Sequence, residues 1–186
     1  MTISSDVVPT RAHSAERRAR VDADVAWERA QEKAIRSLRD GNADEAKANW
    51  AKALEIAERH FERGDPRLAT SFTSHGFVLL RREQIHNANT YFQMAIAAWE
   101  DAWRWIPMMT PTGPADDEKE DKPYDQTTQE AFYALVKQGQ SITEAIMKDH
   151  QLPEAVGDDW LAVKPKAMND IRRLFAAVFL MPTAPR

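Results

Sequence analysis

The chain has 186 residues, no cysteine, and 25 basic side chains against 29 acidic ones, for a net charge of −4. That length suits one domain with a core of its own. The near balance of charge argues against a nucleic-acid partner, and the lack of cysteine excludes a disulfide framework, a thiolate metal site and a cysteine nucleophile. Met1 to Thr10 is polar, without the apolar core of a secretory signal, and no run approaches the roughly 20 apolar residues of a membrane span. A soluble, cytoplasmic chain that does not engage membranes is the expectation.

Glycine and proline mark the joints. Residues 1–12 are polar, contain Pro9, and read as a flexible arm. From His13 to Arg39 there is neither Gly nor Pro, and Val21, Val25, Ile35 and Leu38 recur among alanines at helical spacing. Asp40-Gly41-Asn42 stops that helix, with Gly41 available for the left-handed cap. A second helix over 44–63 carries Ala46, Trp50, Ala53, Leu54 and Ala57 on one stripe, and Gly64-Asp65-Pro66 ends it. Pro66 suits the first position of a third helix over 67–82, which bears Leu68, Phe72, Gly76 and Leu79. A fourth helix over 85–105 bears Ala88, Phe92, Ala95, Ile96, Trp99 and Trp103. Residues 106–125 hold four prolines around the charged run Asp116 to Asp121 and read as a mobile loop. Helical spacing resumes over 127–150, Pro153 breaks it, and a last helix over 165–180 ends in the apolar run Leu174 to Leu180. No alternating β-branched run competes, so the chain reads as all-α.

The helices repeat. Ala46 returns 42 positions later as Ala88, Trp50 as Phe92, Ala53 as Ala95 and Leu54 as Ile96. Upstream, Ala34 returns as Gly76 and Ala30 as Phe72. Small residues recur where helices touch closely and large ones where a core is filled. A fixed period of this size signals stacked helical hairpins, which build binding surfaces more often than active sites.

Asp44-Glu45-Ala46, Trp50, Ala53-Leu54-Glu55-Ile56, Gly64-Asp65-Pro66 and Ala69 together resemble the tetratricopeptide repeat, in its 42-residue kinesin-light-chain variety. The resemblance covers residues 23–105, two repeats, with Gln129 to Ile146 as a degenerate third unit. It implies a short α-solenoid of two hairpins over 13–105, capped by C-terminal helices within 126–186. Two departures mark a divergent member: Glu83 stands where the turn glycine would be, and Ser37 replaces the usual aromatic. The resemblance also implies a concave groove that holds a peptide or helix. Helical spacing places Gln31, Ile35, Leu38 and Arg39 there from the first hairpin, and Thr73, Ser74, Phe77, Leu80 and Arg81 from the second. The lysines that grip a C-terminal carboxylate are absent, with Glu28 and Gln31 nearby instead.

A second candidate surface gathers Trp99, Trp103, Trp105, Met108 and Met109 at the end of the fourth helix. It reads either as apolar area covered by the fifth helix or as an anchor for a partner, since Trp is enriched at interface hot spots. The run Leu174 to Leu180 reads as a cap or as a docking surface. Catalytic signals are lacking: the five histidines have no metal-ligand spacing, the acidic run lacks the pattern of a calcium loop, and there is no phosphate loop or nucleophile elbow. No metal, cofactor or catalytic residue is therefore assigned. The sequence points to a non-catalytic protein–protein interaction module, an adaptor or an assembly or chaperone factor. Alternatives are a structural subunit of a larger complex, or an enzyme or small-molecule sensor with an unrecognised site. A homo-oligomer is compatible with this reading.

Overall fold

The structure, a computed structural model, describes residues 11–108 and 124–150. Five helices account for nearly all of it: α1 (Arg11–Arg39), α2 (Ala43–His60), α3 (Pro66–Leu80), α4 (Ile85–Trp105) and α5 (Gln126–His150), with a 3-10 turn at Ile106–Met108. No strand occurs among the described residues. Arg11 and Ala12, expected in the N-terminal arm, belong to α1 instead. The rest of that arm, most of the proline-rich segment and the expected helix over 165–180 lie outside the described residues. The start of the proline-rich segment is built into the core, because Ile106 is fully buried.

The 42-residue period is written into the turns. Asn42 N–H donates to Ser37 C=O at 2.8 Å and Gly41 N–H to Leu38 C=O at 3.1 Å. Forty-two residues on, Gln84 N–H donates to Leu79 C=O at 3.1 Å and Glu83 N–H to Leu80 C=O at 3.0 Å. Both turns use the bonds that satisfy the orphan carbonyls of a helix C-terminus, and both need a left-handed residue. Gly41 supplies it at φ 81°, and Glu83 adopts φ 60° at the matching place. The next helix then opens with Ala46 N–H on Asn42 C=O and Ala88 N–H on Gln84 C=O.

α1 packs along α2, α3 along α4, α2 against α3, and α5 against α4 and, less extensively, α3. Ala34, Ala46, Ala53, Ala88, Ala95 and Ala102 are fully buried, as the close approach of paired helices requires. Gly76 of α3 meets the ring of Phe92 of α4 so closely that a Cβ there would lie 2.8 Å from it. Trp50 of α2 presents an edge to Phe77 of α3, with ring centroids 6.2 Å apart, and so ties one helical pair to the next. α2 stops at His60, three residues before its expected end, because Phe61 turns to extended backbone. Its ring then meets Trp27 edge-on at 6.2 Å.

A buried ionic cluster fixes the α2–α3 junction. Asp65 caps α3, accepting from Arg67 N–H at 2.9 Å, while Pro66 takes the first helical position. The buried Arg67 guanidinium reaches Asp65 at 3.3 Å and Asp24 of α1 at 3.0 Å, and lies over the rings of Trp27 and Phe61. α3 is buried on nearly its whole circumference. Its polar residues tolerate this because Thr70, Ser71 and Thr73 donate to the carbonyls of Pro66, Arg67 and Ala69 at 2.8–3.0 Å.

Candidate interaction surfaces

The face expected to form an open groove is closed. Ile35, Leu38, Phe77 and Leu80 are buried in one apolar cluster, which Ile146 of α5 completes. Thr73 meets Thr143 of α5, hydroxyl to hydroxyl, at 2.9 Å, and Thr143 also accepts from the buried Trp99 indole at 3.1 Å. Gln31 is sealed in the interior, its Oε1 accepting from Trp50 Nε1 at 2.9 Å while its Nε2 has no partner. Ser74 is likewise buried, with its Oγ unpartnered. Of the nine groove candidates only Arg39 is exposed, and Arg81 is partly so. The physical reason is that the positions one turn from the helix-pairing stripe face further helices rather than solvent. Gln31, Ile35, Leu38, Thr73, Ser74, Phe77 and Leu80 therefore contribute to the interior.

The residues at the end of α4 part company. Trp99 is fully buried and bonded to Thr143. Trp105 is partly buried against Gly64, with its indole Cδ1 in the space a Cβ there would take. Trp103, one turn from Trp99, is 44% exposed, and its ring contacts that of Tyr133 of α5 at a 51° tilt with centroids 4.6 Å apart. Met108, at the end of the 3-10 turn, is 51% exposed. Met109 lies outside the described residues. Trp103 and Met108 thus form the exposed part of the candidate surface, with the partly buried Tyr133 beneath Trp103, flanked by Arg104, whose guanidinium holds Asp101 at 3.1 Å. Tyr133 was missed from sequence: its apolar neighbours at helical spacing mark α5 as amphipathic, but nothing local pairs it with Trp103. Val21 and Val25 of α1 are also exposed.

Two polar features lie away from these aromatic residues. A shallow depression of about 300 Å³ between α1 and α2 is lined by Arg29, Glu32, Lys33, Arg36, Ser37, Asp40 and Glu45. Its charges offset one another, Lys33 pairing with Glu45 at 3.2 Å, and hydrogen bonds from Lys33 and Ser37 hold the Glu45 carboxyl below its ordinary value. His75 of α3 is half-buried against the Tyr91 ring at 4.5 Å, with Nδ1 unpartnered. Burial, and secondarily the charge of Lys47, push its pKa down. Among the described residues no group of His, Asp and Glu is arranged to hold a metal ion, and no helix is long and apolar enough to cross a membrane.

The arrangement defines an all-helical protein with an aromatic surface where α4 and α5 meet. No protein-family model, no curated protein and no solved structure matches the chain.

Proposed function

We propose that the chain is a non-catalytic, tetratricopeptide-like interaction module, an adaptor or assembly factor. It would engage a segment of a larger protein through the surface at the α4–α5 junction. The observation that carries this reading is the exposed Trp103, held at a tilt against the partly buried ring of Tyr133, beside the exposed Met108. An aromatic ring already ordered by a neighbour loses little conformational entropy on binding, and tryptophan anchors commonly contribute 2 kcal/mol or more to an interface, about 30-fold in affinity. Methionine beside it adapts to an irregular partner. The repeated turns at 42-residue spacing support the solenoid half of the reading, since each turn rebuilds the same helix pair.

The test is a cross-linking pull-down with the full chain as bait, followed by identification of the cross-linked peptides. Wild type is compared with Trp103→Ala and with the double variant Arg39→Glu/Arg81→Glu. Loss of the specific cross-links with Trp103→Ala and retention with the double variant supports the α4–α5 surface. The opposite pattern moves the contact to the α1–α3 side, and insensitivity to both removes either surface from the proposal.

A further inference from the structure

α1 and α3 meet only through their side chains: among the described residues no Cα of one helix lies within 8 Å of a Cα of the other. The contacts form rungs, and residue numbers rise together along both helices, so the two run in the same direction. Arg67 pairs with Asp24 at 3.0 Å, an offset of 43 positions. Trp27 Nε1 donates to Ser71 Oγ at 2.8 Å, an offset of 44. One helical turn further, the same register sets Gln31 opposite Ser74, again 43 apart. Trp50 of α2 marks the same level, since its indole N–H bonds Gln31 and its ring meets Phe77, three residues beyond Ser74.

The third rung lacks the direct bond of the other two. Gln31 and Ser74 are fully buried, yet Gln31 Nε2 and Ser74 Oγ have no partner. Gln31 cannot relieve this by flipping its amide. The indole N–H of Trp50 only donates, which commits the amide oxygen to it and turns the NH2 away. Thr70, Ser71 and Thr73 each donate to the carbonyl four residues back, whereas Ser74 does not. On the α5 side of α3 the corresponding polar layer is complete. Thr143 accepts from the Trp99 indole, as Gln31 accepts from that of Trp50, and it meets Thr73 directly. A buried amide or hydroxyl without a partner is costly, and clustered groups of this kind are where proteins hold internal water.

We infer that Gln31 and Ser74 form a binding site for one internal water molecule, which accepts from Gln31 Nε2, bonds Ser74 Oγ and completes the third rung between α1 and α3. The chemistry selects water. The site offers a donor on one helix and a hydroxyl on the other, and a molecule that both accepts and donates satisfies the two together. Both groups are neutral, so an ion bound there would keep its charge uncompensated in the interior. Internal waters commonly make two to four hydrogen bonds to buried polar groups, and these two residues supply the first two. The site is independent of the proposed α4–α5 surface, since it ties the first helical pair to the second.

The experiment is water-selective cross-relaxation by NMR on the full chain, labelled with nitrogen-15 in its glutamine side chains. The Gln31 Nε2 protons should show a cross-peak at the water frequency, with the sign of a long-lived bound molecule. Absence of that peak overturns the inference. Ser74→Ala separates water from the serine hydroxyl, whose exchanging proton could give the same peak. The peak should persist in Ser74→Ala, because the water keeps its bond to Gln31. Its loss there would mean that the hydroxyl bonds Gln31 directly, and would also overturn the inference. Should Ser74→Ala fail to fold, a crystal structure of the wild-type chain decides. One solvent peak within about 3.2 Å of both Gln31 Nε2 and Ser74 Oγ is expected. Direct contact of those two atoms, or no solvent peak between them, overturns the site.

Discussion

Gly76→Ala sets two effects of known size against each other. In the interior of a helix, replacing glycine with alanine gains about 1 kcal/mol from backbone entropy. At this position the new methyl would sit 2.8 and 2.9 Å from Phe92 Cε1 and Cδ1 and 3.2 Å from Cζ. Phe92 is fully buried, so its ring cannot yield toward solvent, and α4 must shift instead. Overpacking of a close-packed core costs about 1–3 kcal/mol. The net expectation is a loss of about 1 kcal/mol, a fall in melting temperature of about 2–4 °C for a chain of this size. Urea titration followed by circular dichroism measures it. The clash, not the backbone, should be responsible, so Phe92→Leu should make Gly76→Ala neutral or stabilising in a double-mutant cycle. If Gly76→Ala alone stabilises the protein by the full propensity gain, Phe92 does not rest on Gly76 and the account of the α3–α4 contact fails.

Glu83→Gly should stabilise by about 0.5–1 kcal/mol, because the left-handed φ of 60° costs a side-chain-bearing residue more than glycine's added freedom does; an unchanged or lower urea midpoint would remove the strain argument. Asp65→Ala removes both the α3 cap and a partner of the buried Arg67, and should cost about 3–5 kcal/mol by thermal denaturation; a loss under 1 kcal/mol would mean the cluster is slack. His75 has a folded-state pKa below its unfolded one, so the unfolded chain takes up the proton first. The associated stability is then complete above the unfolded value of about 6.5 and is lost as pH falls through it toward the folded value. Urea midpoints measured between pH 7.5 and 5 should decline more steeply for wild type than for His75→Gln, and parallel curves would contradict the assignment. Gly64→Ala should dislodge Trp105, whose indole occupies the space of the missing Cβ, visible as a change in tryptophan fluorescence together with a loss of stability.

Helix identity and most helix ends are local properties, and the chain carries them in its residues. Apolar spacing delimits α4 to the residue, Asp65-Pro66 announces the start of α3, and Asp40-Gly41-Asn42 ends α1. The 42-residue period even locates Glu83 at the position where a glycine belongs, since turn geometry repeats with the helices that flank it. Burial is different, because it depends on what lies opposite. Thr73 and Ser74 look like solvent-facing residues of an amphipathic helix, yet α3 is packed on almost every side: the Thr73 hydroxyl is buried with the Ala69 carbonyl of the preceding turn as its acceptor, and the Ser74 hydroxyl is buried without a partner. Arg67 reads as a surface cation until Asp24, 43 positions earlier, and Asp65 close it in. Trp99 and Trp103 have the same spacing logic in sequence, and only the passage of α5 across α4 sends one to Thr143 in the interior and leaves the other on the surface against Tyr133. A residue's partners along its own helix are set by 3.6-residue geometry, whereas its partners across helices are set by the order in which the faces close, and that order is a property of the assembled fold.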